Sequence, residues 1–217
     1  MVIISERGKR FWDGGFEIEK RSNTATHHSD TNPQKGNDIS WTFLATPNFL
    51  AQKGFACFAL DLQGHDHSGG LKAFVPDVDL AVDDCLSFFT SIKNLPRFNG
   101  LPCFLYGESM GGAICLLIHF ADPKAFQGAI LVAPMCRISD KVRPRWPIPH
   151  ILTFLARFFL TLSIVPTRDL LYRSVKVDHM KVIVAMNPLR YRRKPRLGTV
   201  LELLGITDVL SKKLCSY

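Results

Sequence analysis

The run Cys103-Phe104-Leu105-Tyr106-Gly107-Glu108-Ser109-Met110-Gly111-Gly112-Ala113-Ile114-Cys115-Leu116-Leu117-Ile118 decides the fold of this chain. Its first half, beginning at Leu101, reads as a buried strand, and from Gly112 onward it reads as an apolar helix. Between them Gly107-Glu108-Ser109-Met110-Gly111 fits G-x-S-x-G, the nucleophile elbow, whose requirement is this strand–turn–helix context. A serine on so sharp a turn leaves no room for bulk on either flank, so Gly107 and Gly111 are expected to form the structural bracket. The Ser109 oxygen would lie at a helix N-terminus, where the local field favours developing negative charge. The competing reading is a plain strand–turn–helix with no chemistry.

Outward from this point the pattern alternates. Trp41 to Gly54 reads as a helix, and Phe55-Ala56-Cys57-Phe58-Ala59-Leu60 as a strand covered on both faces. Asp61 to Gly70 is a glycine-rich loop. Val82, Cys85, Leu86 and Phe89 recur at helical spacing within Val78 to Asn94, and Ala129-Ile130-Leu131-Val132 is a third buried strand. Strands alternating with helices predict a parallel α/β sheet. After Pro134 the prolines at 144, 147, 149 and 166 break the chain up, and Val182-Ile183-Val184 reads equally well as strand or helix. Three parts are therefore expected: a poorly ordered N-terminus over 1–35, an α/β core over 36–136, and a helical cap over 137–217.

Composition bounds the function. A 217-residue chain with 47% hydrophobic content can bury a core as one domain. Six cysteines without C-x-x-C or Cys/His metal spacing predict buried reduced thiols, no metal, no cofactor and a cytoplasmic location. Residues 1–15 hold no apolar core of signal-peptide length. Ile151 to Pro166 is the most apolar stretch, but at 16 residues with Arg157 inside it is too short and charged to span a bilayer. It fits a helix packed on a core or dipping into a lipid surface. The net charge of +8 divides into +1 over 1–36, −4 over 37–136 and +11 over 137–217. The cluster Arg190, Arg192, Arg193, Lys194, Arg196 is either a solvated face or an attractor of anionic headgroups. No aromatic-interleaved motif supports a nucleic-acid partner.

Further motifs accompany the elbow: Asp61-Leu62-Gln63-Gly64-His65-Asp66-His67-Ser68, Ala133-Pro134-Met135 and Asn187-Pro188-Leu189. In order, spacing and flanking residues these closely resemble the plant monoacylglycerol lipase and caffeoylshikimate esterase group of α/β-hydrolases, through nearly all of residues 36–215. The resemblance implies a serine hydrolase with an apolar cap, acting on small-molecule esters or lipids with an apolar or aromatic acyl part. Acylglycerols come first and phenolic esters second, with transient membrane-surface contact through the cap. It also implies a partial α/β-hydrolase fold, a parallel sheet lacking its early and late strands.

Departures from the group are informative. Its H-G-x-G turn, which supplies an oxyanion donor, survives only as Gly36 after Pro33, Gln34 and Lys35. Its G-H-G-x-S loop has Asp66 at the middle glycine, which costs on the order of 1 kcal/mol if that position has positive φ. The triad acid and histidine follow the cap in the group, whereas here the sequence stops at Tyr217 with no histidine after His179. Ser109 as nucleophile and the Met110 N–H as one oxyanion donor remain. Weak or absent turnover is expected on this reading; the alternative from another class is a non-catalytic lipid-binding remnant. His65 and His67 lie on the loop at the same sheet end and are the nearest substitutes for the base, although His65 reads as a loop-structuring residue. His119 is about 15 Å down the helix. His150, His179, Asp178 and Asp208 fall in the cap, with nothing to mark a triad partner, and Glu108 is expected to point away from the nucleophile. The aromatic residues of 151–171 either line an acyl tunnel and touch lipid or pack the cap on the core.

Overall fold

The computed structural model describes residues 2–5, 16–20, 41–138, 147–165, 176–188 and 190–216. Among the described residues five strands form one sheet: β1 (Val2–Ser5), β2 (Phe16–Lys20), β3 (Phe55–Asp61), β4 (Cys103–Glu108) and β5 (Gly128–Val132), in the order β2-β3-β1-β4-β5. The helices of the described residues are α1 (Trp41–Gln52), α2 (Val78–Lys93), α3 (Met110–Ala121), α4 (Ile148–Phe159), α5 (Asp178–Met186) and α6 (Leu197–Cys215). Val182-Ile183-Val184 resolves as helix, inside α5.

The sheet is mixed rather than parallel throughout. β2 pairs parallel with β3 and β4 parallel with β5, but β1 runs antiparallel to both β3 and β4. Within the 1–35 segment, residues 2–5 and 16–20 are strand. The rest of that segment, including Asn23 to Gln34, lies outside the described residues. The missed signal is Val2-Ile3-Ile4, three apolar residues, all β-branched, that suit a pleated strand.

One face of the sheet carries the main core. Ala56 and Phe58 of β3 and Cys103 and Leu105 of β4 pack with Val82, Cys85 and Phe89 of α2 and Ile114 and Ile118 of α3. The Phe58 and Phe98 rings meet edge to face, 5.3 Å between centroids. Each such fully buried side chain contributes about 1.5–3 kcal/mol. α2 begins where the Asp77 carboxylate accepts from the Asp79 N–H at 2.8 Å. Burial pushes the Cys57 and Cys103 thiols up to about 11 and Cys85 to about 12, which leaves them inert. Cys136 is only half-buried and Cys215 is exposed, so burial does not extend to all six cysteines.

β5 differs from its neighbours. Among the described residues it pairs only with β4, and Ile130 and Val132 are 47% and 38% exposed. Alternate residues of a strand share a face, so this pair marks an apolar sheet face left bare opposite α3. α6 is shared between two clusters. Leu197 packs with Ala156 of α4 in a small satellite core, whereas Ile206 and Leu210 belong to the main core.

Candidate active site

β4 ends at Glu108 and α3 begins at Met110, so Ser109 alone makes the bend, at φ 53°, ψ −115°. An L-residue reaches this conformation only at a cost of about 1–3 kcal/mol, and only where its surroundings enforce it. The enforcement is visible. The Ser109 N–H donates to the Val132 carbonyl at 3.1 Å, and the Ser109 carbonyl accepts from Met135 at 3.0 Å and Ala113 at 3.2 Å. β5 and the turn after it therefore hold the bend from one side and the first turn of α3 from the other.

Glycine is required at one of the two bracketing positions. A Cβ on Gly107 would lie 2.3 Å from the Gly111 carbonyl oxygen and 2.7 Å from Cys115 Sγ. Gly111 contributes that oxygen, but a Cβ on Gly111 itself would meet nothing within 4 Å. The steric bracket expected from it is instead provided by Gly112, whose added Cβ would stand 2.8 Å from Pro134 Cβ. The sequence signal for this was the doubled glycine at the start of α3. Ala133, at φ 43°, is a second strained residue, in the turn that supports Ser109; nothing in its identity marked it.

Ser109 is exposed, as is Glu108, and the Ser109 side chain makes no hydrogen bond with any described residue. The Met110 N–H lies at the first turn of α3, where backbone donors have no intrahelical acceptor. An exposed hydroxyl beside unspent donors can attack an electrophilic carbonyl and stabilise the oxyanion that forms. The counterpart of the second oxyanion donor, around Pro33 to Gly36, lies outside the described residues.

On the neighbouring loop the His65 ring and the His67 backbone bond within the loop, and His67 is exposed. His65 Nδ1 is 3.0 Å from the Gln63 carbonyl, and the His67 N–H donates to the Asp61 carboxylate at 3.3 Å. Ser68 is buried and its hydroxyl donates to the Asp61 carbonyl at 2.5 Å. Gly64 needs its φ of +76°, since a Cβ there would lie 2.5 Å from the Leu71 carbonyl oxygen. Asp66 does adopt positive φ, 40°, so it bears the strain foreseen for a residue replacing glycine. This loop is clamped to α6, an arrangement no motif announced: Thr199 Oγ1 accepts from the Val75 N–H at 3.0 Å and donates to the Ala73 carbonyl at 3.1 Å. His119 lies on α3, and His150 and His179 lie exposed on α4 and α5. Asp178 pairs with Lys181 at 2.7 Å, and this bond holds its carboxyl below the usual range. Among the described residues no group of three or more His, Cys, Asp or Glu could hold a metal ion.

The sequence profile described as serine aminopeptidase, S33, matches residues 36–215. The chain belongs to that family of α/β-hydrolases. Within it, similarity extends to the caffeoylshikimate esterase of Arabidopsis thaliana, 33% identical over 180 residues, 82% of this chain and 54% of that protein. The monoglyceride lipase of Homo sapiens is 40% identical over 78 residues, 36% of this chain and 25% of that enzyme. The chain thus spans about half the length of the esterase. The S33 fold is matched by the solved monoacylglycerol lipase of Paleococcus ferrophilus, with TM-score 0.61 and 18% identity over 90% of this chain and 66% of that one. A soluble variant of monoglyceride lipase from Saccharomyces cerevisiae aligns equally well, with TM-score 0.61 and 19% identity over 82% of this chain and 58% of the other.

Proposed function

We propose that this chain carries the nucleophile of a carboxylic ester hydrolase of the acylglycerol lipase type. The observation that carries the reading is the exposed, strained Ser109, held at φ 53° by hydrogen bonds on both sides of the bend. In the acyl-transfer step Ser109 Oγ bonds to the ester carbonyl carbon, its proton passes to a base, and the carbonyl π pair moves to oxygen. The Met110 N–H stabilises that oxygen. Collapse of the tetrahedral species expels the alcohol, which takes up the proton, and water then releases the acid by the same route.

The rate depends on the base. Losing one oxyanion donor costs about 10²–10³, whereas losing the base costs as much as losing the triad, on the order of 10⁶. Since Ser109 Oγ has no histidine bonded to it among the described residues, slow or absent turnover by this chain is part of the proposal. A fluorophosphonate probe tests it on the purified chain. Slow labelling lost in Ser109→Ala supports a nucleophilic serine; labelling that persists in the variant removes the assignment.

The 180-residue match to an esterase favours a second reading, a phenolic ester such as caffeoylshikimate. Release of caffeate in preference to fatty acid from matched substrates would select it. The third reading, a lipid-binding remnant without turnover, rests on the unbonded hydroxyl, and lipid binding without any labelling would select it. We place the protein in the cytoplasm, touching membrane surfaces through α4 and its surroundings. No helix among the described residues is long and apolar enough to cross a membrane.

A further inference from the structure

β5 leaves hydrogen-bonding groups unspent along one side. The Ser109 N–H reaches the Val132 carbonyl, so Val132 turns its main chain toward β4. That direction alternates along a strand. Gly128 and Ile130 therefore also face β4, whereas Ala129 and Leu131 turn both N–H and C=O away from it. These outward groups take no partner among the described residues.

Nothing in the strand itself guards this edge. Sheets blunt their edges with charge, proline or a covering element. β2, at the opposite end of the sheet, carries Glu17, Glu19 and Lys20. From Ala125 to Ala133 the chain has neither charge nor proline, and Ala129, Ile130 and Val132 are exposed. The apolar face that Ile130 and Val132 leave bare continues inward to Phe104 and Tyr106 of β4, which are only half-buried.

A second copy of the chain meets these features together. With the two strands antiparallel, Ala129 of one copy exchanges N–H and C=O with Leu131 of the other, and symmetry repeats the exchange, so every outward group is satisfied. Ile130 then faces Ile130 of the second copy across the two-fold axis, and Val132 faces Gly128, which has no side chain to obstruct it. The charges agree with this orientation. Asp122 and Lys124 are exposed ahead of the strand, and Glu108 and Arg137 are exposed at its far end. Antiparallel pairing sets lysine against glutamate and aspartate against arginine, whereas parallel pairing would set each charge beside its own kind. We propose that β5 pairs with β5 of a second copy about a two-fold axis at Ile130, joining two sheets into one. This interface is separate from the ester chemistry, so its failure leaves the Ser109 reading untouched.

The test is light scattering of the purified full chain at about 200 µM, a concentration suited to so small an interface. A dimer is expected. Ala129→Pro removes an outward N–H that an unpaired edge does not use, and should raise the dimer dissociation constant about thirtyfold, with one bond lost per copy. Ile130→Lys sets like charges directly opposite and should give a monomer. Cysteine cross-linking with copper phenanthroline, in a Cys215→Ser background, reads the register. Facing residues of a non-bonded pair stand about 4.5 Å apart at Cα, within disulfide reach, so Ile130→Cys should close to a covalent dimer. Two copies of Val132→Cys, about 14 Å apart along the strands, should not. This contrast stands even if the proline variant fails to fold, which circular dichroism would show. A monomer at this concentration overturns the inference and leaves the edge to a strand of another chain. So do assemblies larger than a dimer, an undiminished dimer in natively folded Ala129→Pro, or cross-linking at 132 as fast as at 130.

Discussion

At the elbow Gly107 and Gly112 are closely surrounded although they are small, and on the outer face of α4 large residues touch little. Gly107 leaves no space for a single carbon, whereas Phe158 presents most of its ring to the surroundings. The difference teaches that size and hydrophobicity do not by themselves locate the rigid part of this protein. Contact does, and at Gly107 it is tight where there is no side chain at all.

Five substitutions probe this contrast. The largest effect belongs to Gly107→Ala. Its methyl would meet main-chain atoms that cannot rotate away, so stability should fall by about 3 kcal/mol or more in denaturant melts. Gly111→Ala, four residues on, meets nothing and should leave stability unchanged or raise it by up to about 1 kcal/mol through helix propensity. Equal losses at the two positions would break the contrast. Next comes Ser109→Gly, expected to raise stability by about 1–3 kcal/mol by releasing the strain at φ 53°, while removing all probe labelling. A melt unchanged by Ser109→Gly would mean that the bend carries no strain.

Phe158→Ser should alter the melt by no more than about 0.5 kcal/mol, because an exposed ring has little packing to lose. A drop comparable with that of a buried phenylalanine would place that face of α4 inside the fold. The smallest effect lies where the regions meet, at Glu202 of α6. Burial raises its carboxyl above the ordinary glutamate value, more than the Val78 N–H lowers it, and the nearby Asp77 and Asp79 raise it further. With the folded value raised, the native state favours the protonated form. The associated stability is therefore full below about 4.5, the ordinary value, and is lost as pH rises through the folded value. Glu202→Gln should flatten stability against pH across that window, and an unchanged slope would count against the shift.

Much of the core was legible because its signals are local. The spacing of Val82, Cys85 and Phe89 gave α2, and the strand–turn–helix run gave β4, Ser109 and α3, since each depends on neighbours in the chain. What escaped depends on remote partners. Neither Val2-Ile3-Ile4 nor Phe16–Lys20 states where in a sheet it will pair, and nothing in Thr199 announces a bond to Ala73. Gly111 was given a steric duty that belongs to Gly112, because the residue it would have to meet, Pro134, comes from a different turn. The outward side of α4 was ambiguous for a related reason: phenylalanines at helical spacing look the same in sequence whether a core or open solvent faces them.

Both main-chain groups of Ser109 are tethered to β5 or the turn that follows it, through Val132 and Met135, and among the described residues β5 is an edge strand of the sheet, at the opposite end from β2. The serine's shape is therefore only as durable as the outermost ribbon of the sheet. Fraying that starts at Gly128 would let the tense residue relax toward an ordinary conformation before the deeper strands give way. The amide protons of Ser109 and Met135 should then exchange with solvent together and ahead of those in β4, making them a built-in gauge of how firmly the margin of the sheet is sewn down.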